Sequence, residues 1–231
     1  MSASDRPWGL SIPASALSYL YGDLLAPAPP VPWLPLDRHH LPWRAAVVRR
    51  HTLAEQIVLA TVAELLAAGV VGANVGLRSE ADHFLWGFFA RDTEGSILAL
   101  RQEFPTGLGE LESVLVGPLD SENRDRVSLY EVVKRVTPFG VDFADFVFAH
   151  ARADLVRAGC LHVAAATGLT RLRRPEVFSP DMARIGALAP EAEHLVHALE
   201  EQARERPRLW ELMQRDITEA ARIHQERRSP G

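Results

Sequence analysis

The hydrophobic pattern along the chain predicts two long helices that are copies of one unit. Apolar residues recur at helical spacing over residues 52–68 and again over residues 142–158. A glycine follows each segment, Gly69 in the first and Gly159 in the second, where a left-handed residue commonly ends a helix. The two segments align without a gap at a constant offset of 90 residues. A fixed offset of this size indicates a duplicated structural unit.

The elements around the first long helix are predicted to run helix, turn, long helix, glycine and hairpin. We expect a short helix over residues 45–50 and a long helix whose N-terminus is capped by the Thr52 hydroxyl. The hairpin that follows is predicted to have strands at 84–91 and 97–101 and a turn at 92–95.

The second unit is predicted to repeat this order. We expect a helix over residues 130–135, a turn over 137–140 and a long helix capped by Asp142. Its hairpin is predicted to have strands at 161–164 and 169–172.

This order resembles a winged-helix unit, in which a helical pair is followed by a two-stranded wing. We therefore expect a mainly α-helical protein with short β-hairpins, of the α+β class, built from two tandem winged-helix-like repeats. The predicted division is a proline- and tryptophan-rich arm at 1–42, repeat one at 43–104, a connector at 105–127, repeat two at 128–174 and a C-terminal helical tail at 175–231. The connector is expected to hold a short helix at 108–116.

The arm and the tail are predicted to pack on the repeats. Prolines make most of the arm extended, apart from a short helix over residues 14–25. Aromatic rings in the arm and just after it either anchor it to the body or contact a partner; these are Trp8, Trp33 and Trp43. The tail carries an apolar stripe at helical spacing that covers a repeat or binds a second copy of the chain; it includes Leu209, Met213 and Ile217.

Composition narrows the class of protein. The chain has 231 residues, 47% of them hydrophobic, which is enough to bury a core. A net charge of −5 argues against a surface that binds nucleic acid throughout. A single cysteine excludes a disulfide framework within the chain, and we find no signal-peptide pattern, so we expect a soluble cytoplasmic protein.

Positive charge is concentrated in the second repeat. Residues 128–174 carry seven basic and four acidic side chains, whereas residues 43–104 carry six basic and seven acidic ones. If the protein contacts nucleic acid or another polyanion, we expect the second repeat to supply the contact. The candidate residues are Arg171, Arg173 and Arg174 in the wing and Arg152 and Arg157 on the long helix.

No catalytic motif stands out from the sequence. We find no glycine-rich phosphate loop, nucleophile elbow or paired-carboxylate motif. Two short clusters contain residues that could bind a metal, but we expect both to be solvated surface groups. They are His194 with His197, and Asp37 with His39 and His40. We read Cys160 as a buried structural cysteine rather than the nucleophile of a pair with His162. We therefore expect no metal and no cofactor, and a function that leans away from catalysis.

These observations favour a non-catalytic protein-interaction module, an adaptor or assembly factor with a protein partner. A DNA-binding transcriptional regulator that uses the second repeat is the first alternative. The second is a peripheral binder of anionic membrane lipids. The membrane alternative is based on the two long helices, each of which ends in an Ala-Gly pair before a hairpin, Ala68-Gly69 and Ala158-Gly159. That order is similar to the Golgi phosphoprotein family of lipid-head-group binders, and the similarity implies a membrane partner.

Overall fold

The structure is a computed structural model that describes residues 6–29, 37–81, 90–101, 107–121, 126–165 and 176–226. Helices and small antiparallel sheets are mixed in it, which confirms the expected α+β class. The helices are α1 (Ala14–Leu20), α2 (Gly22–Leu25), α3 (Arg50–Ala67), α4 (Glu110–Ser121), α5 (Leu129–Val136), α6 (Phe143–Arg157), α7 (Met182–Ala187), α8 (Ala189–Glu205) and α9 (Pro207–Glu226). The strands are β1 (Arg38–Leu41), β2 (Ala46–Arg49), β3 (Val71–Ala81), β4 (Ala90–Leu100), β5 (Val127–Ser128), β6 (Leu161–Ala165) and β7 (Glu176–Pro180).

The two long helices, α3 and α6, end in the same way. Gly69 and Gly159 both have φ of 70°, the left-handed conformation that glycine adopts without steric cost. In each case the next N–H turns back to a carbonyl of the last helical turn, from Val70 to Leu65 at 3.0 Å and from Cys160 to Leu155 at 2.8 Å. A strand of an antiparallel pair then begins directly, β3 after α3 and β6 after α6. The predicted helices and glycine stops are therefore confirmed.

The helix predicted over residues 45–50 is wrong. Four of these residues form β2, which pairs antiparallel with β1, so that His40 lies opposite Val47. Adjacent β-branched residues, Val47 and Val48, favour a strand once a partner strand is available. The partner comes from the preceding arm, a tertiary contact that local propensity does not reveal.

Thr52 is not the cap of the first long helix. Helix α3 begins two residues earlier, at Arg50, and no side chain at its N-cap position bonds to it. Instead a carboxylate oxygen of Asp37 accepts the N–H of His51 at 2.8 Å. A residue distant in sequence thus takes the capping role. The predicted cap of the second long helix is confirmed, since Asp142 accepts the N–H of Asp145 at 3.1 Å.

The first hairpin differs from its prediction in register and length. Strand β3 starts two residues after Gly69, at Val71, and eleven consecutive residues pair with β4, from Val71 opposite Leu100 to Ala81 opposite Ala90. The residues predicted to turn, 92–95, lie inside β4. Two polar side chains of this segment have partners in the strand: the Thr93 hydroxyl accepts a hydrogen bond from Arg78 at 3.0 Å, and Glu94 pairs with Arg208. The segment 84–89 of the predicted strand lies outside the described residues.

The second antiparallel pair also uses a later strand than predicted. Strand β6 pairs with β7, so that Leu161 lies opposite Pro180. Strand β7 belongs to the segment that the sequence assigned to the helical tail. The predicted second strand, 169–172, falls outside the described residues.

In the connector, the short helix expected at 108–116 is α4, and it runs further, to Ser121.

The arm and the tail form part of the core. All seven residues of α1 are buried, and α1 packs against α3 and α6. The predicted helix over 14–25 is divided at Tyr21 into α1 and α2. Helix α9 packs against α5, α3 and β4, and a proline lies in the first turn of both α8 and α9, Pro190 and Pro207.

A short strand extends the sheet formed by β3 and β4. Strand β5 pairs with β4 through Ile97 opposite Ser128 and Leu98 opposite Val127, which gives the sheet order β3-β4-β5. Among the described strands, β3 therefore lies at an edge of this sheet.

The left-handed glycines allow a direct test of the helix endings. Replacing Gly69 or Gly159 by alanine should lower the free energy of unfolding by about 1–2 kcal/mol, because a Cβ disfavours positive φ. Gly186 is the matched control: it lies within α7, and an added Cβ would meet nothing within 4 Å. Gly186→Ala should be neutral or slightly stabilising. Urea denaturation of the three variants measures the difference, and equal losses at all three positions would contradict the assignment.

Candidate functional site

Two buried carboxylates occupy equivalent positions on the two long helices. Glu64 on α3 and Asp154 on α6 are 90 residues apart, and each lies three residues before its helix ends. Glu64 accepts the N–H of Ala14, the first residue of α1, at 2.7 Å. Asp154 accepts the N–H of Glu110, the first residue of α4, at 3.0 Å. Each carboxylate therefore caps the N-terminus of another helix, where negative charge is favourable.

The Glu64 carboxylate also belongs to a buried ion cluster. One nitrogen of Arg6, Nη1, donates to Glu64 at 2.6 Å and to Glu112 at 2.7 Å. All three side chains are buried, at 6%, 2% and 1% exposure respectively. Burial and the neighbouring Glu112 raise the pKa of Glu64 to about 8, although Arg6 opposes the shift. At neutral pH Glu64 therefore holds a proton, and the cluster is close to neutral.

Asp154 has a similar environment with fewer charges. Burial raises its pKa to about 6, and the N–H of Glu110 and the charge of Arg157 act in the opposite direction. Arg157 donates to Asp154 at 2.9 Å and also pairs with Glu110. These contacts explain why an acidic side chain is tolerated at a buried helix position, and they give it a structural role.

A second buried ion cluster holds the β3–β4 hairpin to the body. Arg78 of β3 donates to Asp216 of α9 at 2.7 Å, pairs with Glu219 and lies 4.4 Å from the centre of the Tyr130 ring. The other oxygen of Asp216 accepts the N–H and the hydroxyl of Ser96 at 2.7 and 2.6 Å. Residues from both strands of the hairpin are thus bonded to one fully buried carboxylate.

One face of β3 is apolar, and its residues become more exposed along the strand towards the tip of the hairpin. Alternate residues of a strand share a face, and along one face the exposed fraction rises from 6% at Ala73 to 44% at Val75 and 70% at Leu77. The eight residues that join β3 to β4, 82–89, lie outside the described residues. Their sequence includes five large apolar side chains, Phe84, Leu85, Trp86, Phe88 and Phe89.

A polar cavity lies beside the exposed part of β3. Its volume is about 340 Å³, and its lining includes Asn74, Arg126, Ser128 and Arg135. Arg126 is exposed, and Arg135 is 3.5 Å from Glu131 on the same helix. Lys134 lies nearby, 5.3 Å from the centre of the Tyr130 ring. The exposed aliphatic residues of the hairpin therefore have basic neighbours.

The arginines that the sequence singled out are not brought together in the described part of the chain. Arg171, Arg173 and Arg174 lie outside it. Arg152 donates to the carbonyl of Phe148 at 3.1 Å and lies over the Phe178 ring, and Arg157 pairs with the carboxylates of Asp154 and Glu110. The guanidinium groups of Arg152 and Arg157 are thus engaged within the chain.

The tryptophans predicted to anchor the arm are partly buried where they are described. Trp43 donates its indole N–H to the carbonyl of Leu20 at 2.7 Å, and its ring centre is 5.7 Å from that of Tyr19. Trp8 packs against the core, and Trp33 lies outside the described residues. Trp43 and Trp8 therefore contact the body of the protein, which fits the anchoring role rather than a partner surface.

The apolar stripe on the tail faces inward. Leu209, Met213 and Ile217 are buried in the common core beneath α9. This placement corresponds to the alternative in which the stripe covers a repeat. The three side chains do not form a free surface for a partner in this fold, because α5 and α3 already pack against the helix.

The candidate metal and nucleophilic groups are dispersed. Among the described residues, no group of three or more histidine, cysteine or acidic side chains is placed to hold a metal ion. Cys160 is buried, and burial raises the pKa of its thiol, so the thiolate that a nucleophile needs is disfavoured. His39 lies 4.4 Å from the Phe148 ring, and burial lowers its pKa to about 4. It is therefore a neutral packing residue.

Comparison with known proteins gives no match: no family model fits the chain, and no curated protein or solved structure is significantly similar to it. In the part of the chain that the structure describes, no helix is both long and apolar enough to cross a membrane.

Sequence reasoning missed both ion clusters and the hairpin surface. The clusters join residues that are more than 50 positions apart, such as Arg6 with Glu64, so no local pattern marks them. The hairpin did leave a signal, the alternation of Ala73, Val75 and Leu77 ahead of an aromatic segment. That signal was obscured because the turn was placed at residues 92–95.

The anchor of the hairpin can be tested by removing its cation. Arg78→Ala should lower the free energy of unfolding by roughly 3–5 kcal/mol, since it removes the closest cation from the buried Asp216 carboxylate and leaves only Arg215, at 3.7 Å, and Ser96 beside it. Arg222→Ala is the control, because Arg222 pairs with Glu226 in a contact that is more than half exposed. It should cause no measurable loss. Thermal and urea unfolding report both effects, and a neutral Arg78→Ala would show that the cluster does not hold the hairpin.

Proposed function

We propose that this protein attaches to the surface of membranes that carry anionic lipids, and that the β3–β4 hairpin is the part that enters the bilayer surface. One observation carries the proposal. The apolar face of β3 continues outward past the core, from buried Ala73 to exposed Leu77, beside basic side chains.

The apolar part of the argument concerns exposed surface. Val75 and Leu77 are held in water by a rigid, anchored strand, and the strand leads into a segment with five large apolar residues, 84–86 and 88–89. Leaving a large aliphatic side chain in water rather than an apolar medium costs roughly 1.5–3 kcal/mol. A bilayer can cover such a hairpin from all sides. Tryptophan is also favoured at the membrane–water interface, which suits Trp86.

The charge around the hairpin supports an anionic surface. The whole chain has a net charge of −5, yet the cavity beside β3 is lined by two arginines, Arg126 and Arg135, and one carboxylate, Glu131, which pairs with Arg135 and with Lys134. Each basic residue near an anionic membrane contributes about 1 kcal/mol of attraction. An apolar insertion flanked by positive charge is the usual pattern of a protein that lies on a membrane rather than in it.

We also infer that the two units are winged-helix-like, with α3 and α6 as their long helices and the two antiparallel pairs as their wings. Support comes from the shared ending at Gly69 and Gly159 and from the strand that begins directly afterwards. In this reading the first wing is the membrane contact. The order is similar to that of the Golgi phosphoprotein family, which agrees with a lipid surface as partner.

The proposal is tested by making the described apolar residues of the hairpin polar. The double variant Val75→Thr, Leu77→Thr keeps residues that favour a strand. It should weaken binding to vesicles containing about 30 mol% phosphatidylserine roughly tenfold or more, because each substitution removes about 1–1.5 kcal/mol of apolar transfer free energy. Vesicle co-sedimentation measures the change. The matched control is Leu24→Ser with Met182→Ser, two aliphatic residues of similar exposure on α2 and α7. Equal binding by the wild-type chain and the hairpin variant would contradict the proposal.

The contribution of charge has its own test. Arg126→Ser should weaken binding to the phosphatidylserine vesicles severalfold, by about 1 kcal/mol, and should leave binding to neutral phosphatidylcholine vesicles unchanged. Arg222→Ser removes the same charge from an exposed pair far along α9 and serves as the control. The difference between the two variants should shrink as salt is raised. Identical losses for both variants would indicate an effect of net charge alone.

A protein-interaction module is the second candidate, and the edge position of β3 favours it. Among the described strands β3 pairs only with β4, so an extended segment of a partner protein could add to the sheet beside it. Failure of the intact chain to bind any vesicle would remove the membrane proposal and favour this one. The reading as a DNA-binding regulator depends on Arg171, Arg173 and Arg174, which lie outside the described residues, and it stays a prediction.

A further inference from the structure

A small cavity of about 220 Å³ lies at the corner between α8 and α9. This corner is next to the exposed part of the hairpin, because Leu77 of β3 lies opposite Glu94 of β4, and Glu94 pairs with Arg208 in the first turn of α9. The last turn of α3, which leads into β3, forms another wall of the cavity. The cavity therefore lies near the part of the hairpin that we propose to enter the membrane.

Part of the cavity lining is apolar and includes one large aromatic ring. Leu209 and Met213 of α9 are buried, whereas Leu66 of α3 and Trp210 of α9 are partly buried where they pack against the core. Among side chains, a tryptophan ring attracts organic cations most strongly through its π face. Because cavities for drug-sized molecules have volumes of roughly 300–1,000 Å³, this smaller one suits a ligand of a few heavy atoms.

Two opposite charges, Glu205 and Arg206, are adjacent in the lining. Both residues are exposed, and neither has an ion-pair partner within the described part of the chain. The charged groups at the start of α9 are already paired, since Arg208 donates to Glu211 at 2.8 Å and also pairs with Glu94. A carboxylate and a guanidinium group are therefore available side by side to a ligand that carries both signs of charge.

The helix ends around the cavity add to this separation of charge. Two helices end at the cavity, α3 at Ala67 and α8 at Glu205, and the C-terminus of a helix favours a cation. One helix begins there, α9 at Pro207, and its first turn carries no acidic side chain. The N-terminus of a helix favours an anion such as phosphate. The corner thus has a negative part beside Glu205 and a positive part beside Arg206.

We propose that this cavity binds a zwitterion made of an ammonium group and a phosphate, the chemistry shared by phosphocholine and phosphoethanolamine. The ammonium group lies against the Trp210 ring and the Glu205 carboxylate, and the phosphate contacts the Arg206 guanidinium at the start of α9. The head group of a phospholipid beside the hairpin is one source of this chemistry, and a soluble molecule of the same kind is the other. The site does not depend on the membrane proposal, because a soluble ligand can fill it without a bilayer.

A ligand of a single sign fits the cavity less well. A simple cation would meet repulsion from Arg206, and inorganic phosphate would meet repulsion from Glu205, within the same lining. A zwitterion whose two charges are a few bonds apart matches the adjacent positions of these side chains, and complementary charge gives specificity to such a contact.

Titration of the intact chain with O-phosphocholine and with O-phosphoethanolamine tests the site. Isothermal titration calorimetry should show saturable binding, and choline or inorganic phosphate alone should bind about tenfold more weakly or less, since linking two binding groups strengthens both. Glu205→Gln and Arg206→Gln should each weaken phosphocholine binding about threefold to fivefold, because each removes one exposed ion pair with the ligand. Trp210→Phe should weaken it severalfold, since a phenyl ring attracts a cation less than an indole does.

The matched controls are Glu201→Gln and Arg204→Gln, which remove the same charges from exposed residues of α8 outside the cavity lining. Both should bind phosphocholine as the wild-type chain does. If Trp210→Phe does not fold, the two exposed variants of the lining decide the result. The site would be overturned by a lack of saturable binding to either zwitterion, or by equal losses in the lining variants and the controls. Phosphate binding that matches phosphocholine binding would also overturn it.

Vesicles of neutral phosphatidylcholine separate the two sources of the ligand. If Glu205→Gln weakens vesicle binding by the same factor as phosphocholine binding, the site holds a lipid head group. If it weakens only phosphocholine binding, the site holds a soluble ligand. The hairpin variant Val75→Thr, Leu77→Thr should bind phosphocholine normally whatever its affinity for vesicles, so failure of the membrane proposal and failure of this site give different results.

Discussion

The fold depends on the capping of buried helix ends by carboxylates that belong to other helices. A helix N-terminus has N–H groups without partners, and burying them costs free energy unless an acceptor is supplied. Here the acceptors are Glu64, which caps α1, and Asp154, which caps α4. The same two residues lie at corresponding points of the two long helices. The two long helices therefore share a way of joining to a neighbouring helix.

Capping by Glu64 and Asp154 places acidic side chains in the core, and nearby arginines offset their charge. Arg6 approaches Glu64 from the N-terminal segment, and Arg157 approaches Asp154 from the same helix. A buried carboxylate with one cation and several N–H partners is tolerated, whereas an unpaired one is not. The N-terminal segment is therefore needed to complete the core, which explains why α1 is wholly buried.

The hairpin shows the same principle used at the surface. Asp216 bonds to Arg78 on β3 and to Ser96 on β4, so the base of the hairpin is fixed to α9. A fixed base keeps Val75 and Leu77 directed away from the core rather than folded back over it. The proposed membrane contact rests on this exposure of Val75 and Leu77 beside Arg126.

The sequence by itself determined the long helices, the glycines that end them, the α+β class and the apolar stripe of α9, because each follows from spacing or from a conformation only glycine adopts easily. That the stripe faces inward was decided by the tertiary structure. The tertiary structure alone decided that residues 46–49 form a strand, that Asp37 rather than Thr52 caps α3, and that Arg6 meets Glu64. Each of these depends on a partner far away in the chain. A strand needs another edge and a buried charge needs its counterion, and neither requirement leaves a periodic trace in the local sequence.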